Sequence, residues 1–187
     1  MFRLSAAALA SVALLSGPAL ADEISATIQS ALDAYNAGDV KYATEELAFA
    51  QQQLQMLKAD GLQAFLPQAP EGWTRTENTD MNSGMAMMGG GTGVEATYTS
   101  PDQTFTLTIT ADSPMIASFA AMFGNSAMMA AMGTITRVGR EKFVDQDGSL
   151  SGVLDGRILI QASGAPVDVM VPMLEKIDFA ALESFGK

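Results

Sequence analysis

The spacing of apolar residues changes after Gly72, and this change constrains the fold more than any other feature of the sequence. From Glu23 to about Lys58, apolar residues recur every three or four positions, which is the repeat of an amphipathic helix. After Gly72 they alternate with polar residues, as in the threonine-rich segment Thr104 to Thr110, which is the repeat of a strand with one buried face. The chain is therefore predicted to be helical first and rich in strands afterwards.

The helical part predicts a hairpin over residues 22–58. Its pattern is interrupted at Gly38-Asp39, where glycine suits a left-handed helix end and aspartate suits the N-cap of a second helix. Residues 59–71 are predicted to be a linker, since two prolines there prevent further helix. One helix pair cannot bury its own apolar face, so we expect it to dock on the rest of the chain, on a copy of itself or on a partner.

Residues 72–187 predict one sheet-and-helix domain. Asp147-Gly148 and Asp155-Gly156 are typical of hairpin turns. A central helix is expected after Ser113-Pro114, with a break at Gly124-Asn125-Ser126 and an end at Gly133. The predicted fold class is α+β, an N-terminal antiparallel helical hairpin followed by an antiparallel or mixed sheet covered by helices on one face. The remaining elements are strands at 73–76, 94–99, 104–110, 134–138, 140–144, 149–154 and 157–162, a helix at 166–176, and a short cap-and-turn at 178–182.

Two stretches resemble known folds. The pattern Ala34-Tyr35-x-x-Gly38-Asp39-x-x-x-Ala43-x-x-x-Leu47-x-x-Ala50 resembles a single tetratricopeptide-type helix pair, with small alanines that let the helices approach. No second copy follows, whereas a peptide-binding groove of such repeats needs at least three. The opening Gly72-Trp73, the central helix and the final strand-turn-strand-helix order resemble PsbP-like secreted sheet-and-helix domains. Both resemblances imply fold and transfer no functional residue.

The first 21 residues predict a signal peptide. Arg3 supplies a positive start, Leu4 to Leu15 is apolar without a charge, and Ala19-Leu20-Ala21 fits a cleavage site. The apolar stretch is too short for a permanent membrane anchor. We therefore expect cleavage near Ala21 and a periplasmic or secreted protein that begins at Asp22.

The chain contains no cysteine and no histidine. This composition excludes disulfides, the usual zinc sites, a cysteine nucleophile and a histidine general base. The protein is therefore predicted not to be an enzyme, and an enzyme that works without these residues is the third functional hypothesis. The formal net charge of −11 disfavours nucleic acid as a partner, because both surfaces are negative.

Methionine is unusually frequent, with 13 residues, nine of which lie in two clusters. One cluster lies in a glycine-rich loop and consists of Met81, Met85, Met87 and Met88. Thioethers bind soft cations such as Cu(I) and Ag(I), so these four are candidate metal ligands. The alternative is a flexible apolar flap that covers a ligand, a partner or the core. No other cofactor is expected.

The second cluster lies on the central helix and supplies a candidate surface for a ligand or partner. The interval 113–135 carries no charge, but its central Gly-Asn-Ser break favours a buried or partner-facing helix pair over stable membrane insertion. The same methionines also suit gap-filling in a core. The candidate residues are Met115, Phe119, Met122, Met128, Met129 and Met132.

These observations predict an exported, non-catalytic protein that acts as an interaction or apolar-ligand-binding module through its Met/Gly-rich loop and central helix. The expected partner is a protein or an apolar small molecule, and a homo-oligomer is compatible with the sequence. The alternative hypothesis is a Met-thioether protein that binds Cu(I) or Ag(I). For Asp145-Gln146-Asp147-Gly148 we favour a hairpin turn over a calcium loop, because the later ligands of such a loop are missing.

Overall fold

The computed structural model describes residues 19–78 and 90–187. Residues 1–18 of the predicted signal segment lie outside the described residues, as do residues 79–89, which include the four loop methionines. The chain divides into two compact units, Met1–Leu54 and Gln55–Lys187.

The first unit is a helical hairpin, which confirms the prediction from the apolar repeat. It consists of α1 (Ala19–Asn36) and the larger part of α2 (Val40–Gln63). Gly38 ends the first helix with φ of 84°, a value that glycine adopts without strain. Asp39 caps the second, since its Oδ1 accepts a hydrogen bond from the Tyr42 amide at 3.1 Å.

Small side chains fill the interior of this hairpin. Ala31 and Ala34 of α1 and Ala43 and Ala50 of α2 are all buried. Alanine allows two helix backbones to approach closely, but it covers little apolar area. Most of the larger apolar side chains of the same helices, with Ile24 as an exception, remain exposed.

The second helix is longer than the sequence predicts. α2 ends at Gln63, so residues 59–63 of the predicted linker are helical. Gly61 disfavours a helix by about 1 kcal/mol relative to alanine. Leu62 is fully buried in the core of the second unit, and we attribute the extension to this burial.

The described residues of the second unit form a seven-stranded sheet, in the order β1-β2-β3-β7-β6-β5-β4. Every pair of neighbouring strands is antiparallel. At the turns after β5 and β6, both central residues have positive φ, as the predicted Asp-Gly turns require. The strands are β1 (Thr74–Asn78), β2 (Thr92–Thr99), β3 (Thr104–Ala111), β4 (Thr134–Val138), β5 (Glu141–Gln146), β6 (Ser149–Leu154) and β7 (Ile158–Ser163).

Among the described residues, four helices accompany the sheet, and the predicted α+β class is confirmed. The larger core forms on the face that carries Phe105, Leu107 and Ile109, where the C-terminal helices add Met170 and Leu174. The other two helices lie over the opposite face of β4, β5 and β6, so the structure adds a second and smaller layer to the predicted one. The helices are α3 (Pro114–Phe123), α4 (Ser126–Met132), α5 (Val167–Leu174) and α6 (Phe179–Glu183).

Candidate functional site

The helices α3 and α4 carry no charge, and most of their side chains face outward. In α3 only Ile116 is buried, and in α4 only Met129. Both helices are rich in methionine, alanine and phenylalanine. Apolar helices that bury so few residues leave an exposed apolar surface, which is typical of an interaction site.

Met115, Phe119 and Met122 follow one another at helical spacing on α3, where Met115 is 51% exposed and Met122 is half-buried. On α4, Met128 is 46% exposed. Ile135, in the following strand, is also exposed. We call the following set the α3–α4 surface: Met115, Phe119, Met122, Met128, Met132 and Ile135.

The geometry of the two helices is set by their ends. Pro114 begins α3, where its missing amide hydrogen is not needed. Asn125 caps α4, since its Oδ1 accepts hydrogen bonds from the Ala127 amide at 2.9 Å and the Met128 amide at 3.4 Å. The helix axes meet at 101°. Because of this break, α3 and α4 are two short apolar helices and do not form one long helix.

Gly133 allows the end of α4 to lie close to the sheet. A Cβ atom at this position would overlap the carbonyl oxygen of Asp145 and would lie 3.0 Å from Cγ1 of Val144. Glycine is therefore required for the close approach of the backbone to β5.

Cations lie on the same face of the sheet as α4. Lys142 Nζ donates to Ser126 Oγ at the start of α4, at 3.3 Å. Arg137 is the direct cross-strand partner of Lys142, so the two side chains share that face. Ile135 and Val144 form the next such pair on the same face. The edge of the apolar α3–α4 surface is therefore positively charged.

The carboxylates of these strands lie on the other face. Glu141 and Asp145 alternate with Lys142 and Val144, so they share the face of Phe143. The Phe143 ring packs near the ring of Phe179 in α6, with 6.3 Å between the centroids. Strand alternation thus places the cations on the sheet face beside α4 and the carboxylates on the other face.

Most predicted residues of the central helix lie on the surface, but one does not. Met115, Phe119 and Met128 are exposed, and Met122 and Met132 are half-buried. Met129 is 2% exposed, so its prediction as a surface residue is wrong. It is the side chain that anchors α4 to the sheet.

The predicted thioether metal site falls on Met81, Met85, Met87 and Met88, which lie outside the described residues. Within residues 19–78 and 90–187, no group of three or more aspartates or glutamates is placed to hold a metal ion. In the same part of the chain, no single helix is long and apolar enough to cross a membrane, although the bent pair α3 and α4 passes that test by length and composition.

The hairpin carries a second apolar surface. Among the described residues, most of the exposed large apolar side chains lie between Ile28 and Leu57. A shallow open groove of about 630 Å³ lies between α1 and the start of α2, with Asp33, Asp39 and Tyr42 in its lining.

Arg137 and Lys142 were not predicted from the sequence to be part of a site. The signal was present, because a two-residue turn at Gly139-Arg140 sets the register that places both cations on one face. The position of α4 could not be predicted from the sequence, and this position decides which face of the two strands belongs to the candidate site.

Comparison with family models finds no match for this chain, and comparisons with curated proteins and with solved structures find none either. We therefore infer function from the geometry of the described residues.

Proposed function

We propose that this protein is an exported, non-catalytic interaction module that binds an apolar, negatively charged partner through the α3–α4 surface. The observation that carries this proposal is the uncharged, outward-facing pair of helices with Arg137 and Lys142 at its edge. The partner is predicted to combine apolar groups with anionic ones.

The openness of the surface supports contact with a partner over enclosure of a small ligand. Met115 and Met128 are about half exposed, and only Ile116 and Met129 of the two helices are buried. Enclosed ligand sites bury most of the ligand in a concave cavity. An exposed methionine surface suits a partner that brings its own apolar face, since methionine adapts to different shapes.

The charges at the edge support selectivity for anions. The whole chain has a net charge of −11, so an anionic partner is repelled by most of the surface. Arg137, Arg140 and Lys142 lie within one short hairpin and locally reverse this sign. Such a local patch orients a charged partner toward the apolar helices.

The test uses a fluorescent apolar anion, anilinonaphthalene sulfonate, with protein purified after export of the full chain. We expect fluorescence on binding that falls at least threefold in the variant Met115→Gln/Phe119→Gln/Met128→Gln. The variant Arg137→Gln/Lys142→Gln should weaken binding, and salt should weaken it in the wild type.

The matched control is Tyr42→Gln/Phe49→Gln, which removes similarly exposed apolar side chains from the hairpin. This control should keep the probe response. An unchanged response in the α3–α4 variant would contradict the proposal. N-terminal sequencing of the exported product tests the predicted location, and a mature chain that begins at Asp22 is expected.

A further inference from the structure

The hairpin presents one apolar face that no other described residue of the first unit covers. Ile28, Leu32 and Tyr35 form a stripe at helical spacing on α1, and Val40, Leu47 and Leu54 form one with a seven-residue spacing on α2. All six are between 44% and 65% exposed. We call these six residues the hairpin face.

Both stripes lie on the same side of the hairpin. In an α-helix, residue i+4 lies about 40° around the helix axis from residue i. This rotation has the same hand in both helices, and because the helices run in opposite directions it carries both stripes to one side. On each helix, exposed residues follow buried ones by four positions: Ile28 after Ile24, Tyr35 after Ala31, Leu47 after Ala43 and Leu54 after Ala50.

Carboxylates are absent from these stripes, although the hairpin is acidic. Asp33 and Glu45 lie on the far side of their helices, and Asp39 is occupied as the cap of α2. The neighbours of the stripes are uncharged residues such as Ser25 and Gln51. Two copies of this strongly negative chain would repel each other elsewhere, but this face meets itself without like charges.

The size of the face fits a protein interface. Six large side chains at about half exposure present on the order of 500 Å², taking roughly 150–250 Å² for a fully exposed large side chain. This approaches the roughly 800 Å² that each partner buries in a standard interface, once the surrounding polar residues are added. It also lies at the upper end of the apolar patches found on monomers.

We propose that the hairpin face pairs with the same face of a second copy of this chain, which gives a homodimer with a two-fold axis through a four-helix contact. A two-fold interface uses one patch on both subunits, so an uncharged apolar patch is complementary to itself. The contact is independent of the α3–α4 surface and of its partner.

The first test measures mass by light scattering during size-exclusion chromatography over a range of protein concentrations. The chain mass is 19.6 kDa before processing, and the wild type is expected at twice the mass of its processed chain. The variant Leu32→Gln/Leu47→Gln should run as a monomer, with a dimer dissociation constant raised at least tenfold. Circular dichroism checks that both proteins are folded.

The matched control is Tyr42→Gln/Phe49→Gln, which removes apolar residues of similar exposure from α2. Tyr42 and Phe49 each precede a buried alanine by one residue, so they lie on the other side of the hairpin. This variant should remain a dimer. A monomeric wild type, or equal loss of the dimer in both variants, would overturn the proposal. The hairpin face would then be assigned to another partner or to the chain itself.

The second test exploits the absence of cysteine from the chain. Single variants Leu32→Cys, Leu47→Cys and Leu54→Cys are oxidised under mild conditions, and at least one should form a covalent dimer. A disulfide needs Cα atoms within about 7 Å, so only a residue near the two-fold axis can join its own copy. Cross-linking of Phe49→Cys, with none at the three leucine positions, would contradict the proposed face.

Discussion

At the scale of single residues, Tyr98 joins the chain segment that precedes the sheet to the sheet itself. Its side chain is fully buried and its hydroxyl donates to the Pro67 carbonyl at 2.6 Å. The ring stacks on Phe105, its direct cross-strand partner, with 4.9 Å between the centroids. Burial raises the pKa of Tyr98 from 10.0 to about 12, because the charged form would lose its hydration.

We predict that Tyr98→Phe lowers the free energy of unfolding by about 1 kcal/mol at neutral pH, through loss of the hydrogen bond to Pro67. Since the folded pKa is raised above that of the unfolded chain, the neutral hydroxyl stabilises the fold below pH 10.0. That contribution is lost as the pH rises from 10.0 to about 12. Urea unfolding at about pH 9 and about pH 11 measures both effects.

The amount by which the unfolding free energy of the wild type exceeds that of Tyr98→Phe should shrink by about 1 kcal/mol between these two pH values. Tyr35→Phe is the control, because Tyr35 is 65% exposed and should leave unfolding unchanged at both. An advantage that stays constant with pH would show that ionisation of Tyr98 is not linked to folding.

At the scale of elements, α4 depends on its cap. The helix has only seven residues, and isolated helices of this length are unstable in water. Asn125 satisfies two of its free amide groups, and Met129 anchors it to the sheet. The cap at Asn125 and the burial of Met129 therefore both stabilise the helix that carries part of the α3–α4 surface.

We predict that Asn125→Ala lowers the free energy of unfolding by about 1 kcal/mol, because the amides of Ala127 and Met128 lose their acceptor. Hydrogen exchange at the first turn of α4 should become faster. Asn125→Asp is the control, since it keeps an acceptor and adds a negative charge at the positive end of the helix. Equal exchange rates in both variants would argue against the cap.

At the scale of the second unit, Arg157 joins the last strand to the C-terminal turn. It donates to the carbonyl oxygens of Glu183, at 3.0 Å, and of Phe185, and it forms an ion pair with Asp112 at 3.0 Å. Beside it, Lys187 and then Arg157 lower the pKa of the Asp155 carboxyl. The planar guanidinium donates to several acceptors from a rigid fork of N–H groups, a geometry that the compact ammonium of lysine does not reproduce.

We predict that Arg157→Lys loosens the C-terminal turn without unfolding the sheet. The amides of Ser184 and Phe185, which donate to Ala181 and Leu182, should exchange hydrogen severalfold faster. Exchange in β3 should stay unchanged. The exposed Arg140→Lys is the control, and similar exchange at Ser184 in both variants would show that Arg157 does not hold this turn.

The elements were largely predictable from the sequence because their signals are local. β4 and β6 have the predicted bounds, since alternation and tight turns define them without reference to distant residues. The end of α2 was not predictable, because Leu62 is buried against strands that come later in the chain. The placement of β7 between β3 and β6 likewise depends on non-local pairing.

The sequence by itself determined where helices, strands and turns form, because apolar period, glycine, proline and aspartate act over a few residues. Only the tertiary structure decided which apolar residues stay exposed, since burial depends on neighbours from distant segments. Met128 and Met129 show the difference, because adjacent and chemically identical side chains are 46% and 2% exposed. The candidate surface therefore follows from packing, whereas its residues could be proposed from composition.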